Sequence, residues 1–144
     1  MKLHHLAIQV HDLEGAVRWY SELFGWPVLR EWPAEAGGLR AVWLALSPVQ
    51  APSGLSDDSA CAFVALERCE RAPQPDLWRH PNPGLHVLAL RIAASERATW
   101  VARLAARGVS LDHSSAWSIY FRDPEGNRLA LSHHPDVQPG LPAD

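Results

Sequence analysis

Lysine is almost missing from this chain: of its thirteen basic residues twelve are Arg and only Lys2 is Lys. Chemistry that runs through a lysine Schiff base, or a phosphate clamp built on lysine, has almost no candidate. Cysteine is nearly as scarce. Cys61 and Cys69 are the only two, too few for a disulfide-stapled fold and too far apart for a CxxC metal or redox pair. No apolar run reaches the ~20 residues of a membrane span, because Arg, His or Pro interrupts each one. Met1-Lys2-Leu3-His4-His5 leads into a strand pattern, not a signal-peptide core. A cytoplasmic protein with no membrane partner is expected. Thirteen basic against sixteen acidic residues give a net charge of −3 with no basic stripe, which argues against nucleic acid as a partner.

What remains is a chain of 144 residues, 47% hydrophobic and 20% charged, with the size and composition of one globular domain. Seven residues are Trp, large apolar groups with one donor each, which suit cores and aromatic ligand pockets alike. Residues 3–10 alternate, with Leu6, Ile8 and Val10 on one face and His5, Ala7 and Gln9 on the other, so a strand with one covered face is expected. Asp12 caps a helix to Phe24, with Leu13, Ala16, Val17, Tyr20, Leu23 and Phe24 inward and Gly25 as its left-handed stop. Extended segments follow at 26–32, 39–47 and 60–66, separated by Gly37-Gly38 and by a Pro/Ser/Gly/Asp-rich stretch at 47–59.

Pro73, Pro75, Pro81 and Pro83 mark residues 67–83 as a linker. A strand at 85–92 then leads into a helix capped by Ser95, with Ala98, Val101, Ala102, Leu104 and Ala105 inward and Gly108 as its stop. Strands at 109–113, 116–122 and 127–134 complete the pattern, the last two joined by a type I turn at Asp123-Pro124-Glu125-Gly126. The order repeats, and each half opens on a histidine, His5 or His86. The expected fold is α+β: two tandem βαβββ modules, 3–66 and 84–134, in one domain over 1–134, forming a curved mixed β-sheet around a cleft. Residues 135–144 form a tail.

The stretch from His5 through Gly25-Trp26, with Tyr120-Phe-Arg-Asp-Pro-Glu-Gly-Asn-Arg-Leu129, resembles the vicinal oxygen chelate superfamily. This group includes type I glyoxalases, extradiol dioxygenases, fosfomycin-resistance transferases and bleomycin-binding proteins, and the similarity runs from about residue 3 to 134. The resemblance implies a homodimer and, in members with activity, a divalent metal held by one His from each module and a carboxylate. His5 and His86 match the two His positions, where neutral imidazole suits Zn, Mn, Fe or Ni. The carboxylate position is Ala130, within Gly126-Asn127-Arg128-Leu129-Ala130-Leu131, and its counterpart in the first module is Ala65. Glu67 lies on the same strand face as Ala65 but about 6.6 Å further along.

The resemblance also places Tyr120 against substrate, with Ser118 two residues before it on the same strand face. Gln9, Trp43, Trp117, Ala65 and Ala130 are candidates for the pocket wall; Trp32 and Trp78 for a mouth or interface; Trp100 for helix packing. His4, His11, His80, His113, His133 and His134 read as exposed or loop histidines, and Arg122 and Arg128 as solvated charges beside the turn. Two functions follow. One is a metal-assisted lyase, transferase or dioxygenase acting on an oxygen-rich metabolite or antibiotic, favoured by the His pair. The other is a metal-free antibiotic-binding or resistance protein of the bleomycin-binding type, favoured by the two alanines.

Overall fold

The computed structural model describes residues 3–46, 62–72 and 85–136. The Pro/Ser/Gly-rich stretch with Cys61, most of the expected linker, including Trp78 and His80, and the tail beyond Asp136 lie outside the described residues. The chain divides into two compact units, Met1–Pro73 and Gln74–Asp144. Each contains a four-stranded mixed sheet and one α-helix, an α+β architecture.

The first unit runs β1 (His5–Val10), α1 (Leu13–Phe24), β2 (Val28–Pro33), β3 (Leu39–Ala45) and β4 (Phe63–Arg68). Its strand order is β1-β4-β3-β2, with β1 parallel to β4 and the other pairs antiparallel. The last strand reaches Arg68, so Glu67 and Arg68 belong to the sheet and not to the expected linker. Asp12 caps α1 by accepting the Gly15 N–H at 2.9 Å, and Gly25 ends it at φ 73°. Leu13, Ala16, Tyr20 and Leu23 are buried along one side of that helix. Phe24 stacks on Trp26 at 4.5 Å, and Tyr20 lies parallel to Trp26 at 5.8 Å. Full burial of side chains of this size contributes about 1.5–3 kcal/mol each, which fixes the helix on β3 and β4. The helix side of the sheet is identified by Arg68, which donates to Glu14 of α1 at 2.5 Å and to the Leu39 carbonyl at 2.9 Å.

The second unit runs β5 (Leu88–Arg91), a 3-10 turn (Ala94–Glu96), α2 (Arg97–Ala106), β6 (Leu111–Ser114), β7 (Ser118–Arg122) and β8 (Arg128–Ser132). Its order is β5-β8-β7-β6, repeating that of the first unit. Two details of α2 differ from the sequence-based expectation. Ser95 lies inside the 3-10 turn and does not cap the helix; the Glu96 carboxylate instead accepts the Ala93 N–H at 2.7 Å. Of the inward set on α2, only Leu104 is buried, while Ala98, Ala102 and Ala105 are exposed. The Asp123–Gly126 turn forms as expected, with Gly126 N–H donating to the Asp123 carbonyl and the Asp123 carboxylate accepting from Glu125, Asn127 N–H and the Asn127 amide.

His133 corrects its reading as an exposed histidine, because it is fully buried. Its Nδ1–H donates to the Asp136 carbonyl at 2.6 Å, leaving Nε2 to accept from Arg97 at 3.4 Å. Arg97 also donates to the Ser114 hydroxyl and the Ser115 carbonyl. One guanidinium thus joins α2, the end of β6 and the segment after β8.

Candidate functional site

In the first unit the face of the sheet opposite α1 is set by register. His5, Ala7 and Gln9 pair with Phe63, Ala65 and Glu67, and Ala45, Trp43 and Ala41 pair with the same three residues from the other side. Aromatic rings cross this face diagonally. Trp32 meets Trp43 at 5.2 Å, Trp43 stacks on Phe63 at 4.4 Å, and Phe63 stacks on His5 at 4.9 Å with only 10° between the rings. The Arg30 guanidinium sits 4.1 Å from the Trp32 ring. Trp32 Nε1–H is buried without a hydrogen-bond partner. Beside this wall lie Ala7 and Ala65, with Glu67 and Gln9 exposed further along the same strands.

The corresponding face of the second sheet is polar. Ala89 and Arg91 pair with Ala130 and Ser132, and Ser118, Tyr120 and Arg122 pair with Ser132, Ala130 and Arg128. His113 pairs with Tyr120, their rings 5.7 Å apart. Ser118 donates to the Ser132 hydroxyl at 2.8 Å. Arg122 and Arg128 are not the solvated charges expected. Arg122 pairs with Asp112 at 2.9 Å and donates to the Gly126 carbonyl, while Arg128 lies 4.9 Å over the Tyr120 ring and donates to His86 Nε2 at 2.5 Å. Trp117 precedes β7 and meets His134 edge-on at 5.4 Å, apart from the Tyr120 row.

Burial shows that the two histidines do not hold equivalent places. Leu6, Ile8 and Val10 of β1 alternate inward as Leu88, Leu90 and Ile92 do around β5, and Ala7 faces Ala65 as Ala89 faces Ala130. On this register the counterpart of His5 is Val87. His86 lies one residue earlier, before β5 begins, and not within the strand expected at 85–92. On the same register Ala65 and Ala130 occupy like places in their sheets, beside Ala7 and Ala89. Phe63 and Arg128 are then counterparts as well.

The donor set does not fit the metal that the resemblance implies. His86 Nε2 accepts from a guanidinium, a permanent cation with no lone pair, so a divalent ion at that nitrogen would lose the lone pair and meet like charge. His5 Nδ1 is 2.8 Å from His4 Nδ1, and Ala130 and Ala65 supply no oxygen. Among the described residues no group of three or more His, Cys, Asp or Glu is placed to hold a metal.

Sequence reasoning missed Phe63, Arg30 and Arg128, and set Trp32 at a mouth or interface. Trp43 was a wall candidate from its place within a strand, but the row as a whole was not legible, since its members meet through strand register and not through local spacing.

A family model described as the Glyoxalase/Bleomycin resistance protein/Dioxygenase superfamily matches residues 2–131. No curated protein sequence matches the chain. Among solved structures, a glyoxalase/dioxygenase from Nostoc punctiforme has TM-score 0.69 at 19% identity, covering 94% of this chain and 92% of its own. The fosfomycin resistance protein FosX from Listeria monocytogenes, with Mn(II) and dihydroxypropylphosphonic acid, has TM-score 0.66 at 14% identity, covering 91% and 90%. Lactoylglutathione lyase from Agrobacterium tumefaciens has TM-score 0.64 at 18% identity, covering 92% and 93%. At these identities the likeness is one of fold.

Proposed function

The chain belongs to the glyoxalase/bleomycin resistance protein/dioxygenase superfamily, and from that premise we propose that it binds a small planar organic compound without a resident metal. The observation that carries this reading is the diagonal of Trp32, Trp43, Phe63 and His5 beside alanines at positions 7 and 65. Flat π-faces next to short side chains suit stacking against a conjugated ligand, and ring pairs of this kind contribute about 0.5–1.5 kcal/mol each beyond area burial. Glu67 and Gln9 offer an acceptor and an amide for orientation. The metal-assisted enzyme reading keeps His5 in its favour, but the engagement of His86 with Arg128 and the absence of a carboxylate at Ala130 count against it. Pairing of two chains is part of the proposal, since the resemblance implies it, and solution mass tests it directly.

The experiment is a tryptophan-fluorescence titration with acridine, quinoline and indole, run beside elemental analysis of protein loaded with Mn, Fe, Ni or Zn. Saturable quenching that Trp43→Ala abolishes, with no stoichiometric metal, is expected. One equivalent of metal, lost when His5 and His86 are both replaced by Ala, would restore the metalloenzyme reading.

A further inference from the structure

Arg128 stands where Phe63 stands in the first sheet, so the two sheets carry an apolar ring and a fixed charge at one register position. Its guanidinium is anchored twice, by donation to His86 Nε2 at 2.5 Å and by packing 4.9 Å over the Tyr120 ring. Neither partner neutralises it. His86 must be uncharged to accept, Tyr120 contributes a ring face, and Asp112, the acid on β6, is committed to Arg122 at 2.9 Å. Among the described residues Arg128 has no ion pair, and its Nε–H is buried without any acceptor. A half-buried cation with an unused donor lacks its counter-charge.

We propose that Arg128 is the binding cation of a carboxylate site on the second sheet, with His86 and Tyr120 holding the guanidinium in place and His113, on β6, next to the Tyr120 ring. One positive charge on a planar fork matches one carboxylate; a phosphonate dianion wants more cations, and Arg122 is already paired. Taking the ligand requires the guanidinium to turn its Nε edge outward, a movement of one side chain. This inference rests on the metal-independent part of the proposed function and not on the aromatic wall. The site would give the protein a preference for organic acids, the fixed charge of Arg128 serving where metal-dependent chemistry would use an ion.

The test uses a non-aromatic acid and its neutral isostere, cyclohexanecarboxylate and cyclohexanecarboxamide, titrated against the full chain while the histidine ring resonances are followed by NMR. Saturable shifts of His86 and His113 with the acid, about ten- to a hundredfold weaker with the amide, are expected from a charge-assisted bond. Arg128→Gln should abolish the preference, Arg128→Lys should keep part of it, and Arg103→Gln on α2 should leave it unchanged. If acid and amide bind alike, if neither shifts these rings, or if Arg128→Gln keeps the preference in a folded protein, the site is refuted. Elemental analysis of the same sample reports separately on the metal-independent reading, and the acridine titration reports on the aromatic wall.

Discussion

Arg128 and His86 face each other at 2.5 Å in the second unit, where the first unit stacks Phe63 on His5 at 4.9 Å. The same sheet topology therefore presents a histidine against an aromatic ring in one half and against a guanidinium in the other. Arginine only donates, so His86 carries its proton on Nδ1 and gives its Nε2 lone pair to Arg128. That single bond decides the chemistry of the second sheet.

Restoring a carboxylate alone should not restore a metal. Ala130 is 1% exposed, lies between Ala89 and Tyr120, and shares its face with Arg128. In Ala130→Glu the new side chain overpacks the sheet, at a cost of about 1–3 kcal/mol, and its charge is drawn to Arg128. The expected result is a lower thermal midpoint with metal content unchanged. Stoichiometric Mn(II) uptake by this variant would show that Arg128 does not block the site.

The start of α1 makes a glycine useful inside a helix. A Cβ at Gly15 would lie 2.2 Å from Asp12 Oδ2, so Gly15→Ala displaces the capping carboxylate. The usual gain of about 1 kcal/mol from Ala over Gly is then offset by loss of a cap worth about 1 kcal/mol. Denaturant unfolding should show little change for Gly15→Ala alone. In an Asp12→Ala background the same substitution should stabilise, and equal effects in both backgrounds would refute the coupling.

The Arg68 guanidinium beside Glu14 holds that carboxyl below its ordinary value, first through the side-chain hydrogen bond. A depressed folded-state pKa contributes stability above the unfolded value and loses it as pH falls through the folded one. Because both side chains are more than a third exposed, the effect is modest, at about 0–1 kcal/mol. Wild type should exceed Glu14→Gln in stability near neutral pH, and the gap should close as the solution is acidified below the ordinary carboxylate range. A gap that widens toward acid would contradict this.

His133→Phe removes the acceptor of a partly buried Arg97 and the donor to the Asp136 carbonyl. Asp136 is exposed and Arg97 keeps Ser114 and Ser115, so the loss is that of one net hydrogen bond, about 0.5–1.5 kcal/mol. The variant should unfold at lower denaturant, and Arg97→Met in the same background should cost less than it does in wild type, since only the bonds to Ser114 and Ser115 are left for it to remove. Additive losses would mean the two residues act independently.

The local signals in the sequence were reliable where chemistry is local. Asp12 and Gly25 bound α1, and Asp123 with Gly126 forms the turn before β8. The duplicated order of strands follows from the same signals. The register of His86 was not legible, because matching two histidines by position hides the one-residue offset that only strand pairing reveals. Small residues misled in α2: Ala98, Ala102 and Ala105 keep helical spacing, yet a methyl group has little area to bury, and they remain exposed. His133 was misjudged because polarity suggests solvent, whereas Arg97 and the Asp136 carbonyl satisfy both ring nitrogens. The aromatic wall needed the pairing of β2, β3, β4 and β1 before its members could be seen as neighbours.

Helix α2 buries a single side chain, Leu104, whereas α1 buries four. Its hold on the second unit comes largely from Arg97, whose hydrogen bonds reach β6 and His133. Breaking that attachment should cost less than extracting an apolar helix from a core, so α2 is expected to open at a fraction of the global unfolding free energy. Hydrogen exchange should therefore release the amide protons of α2 before those of α1, so that two halves alike in topology differ in local stability.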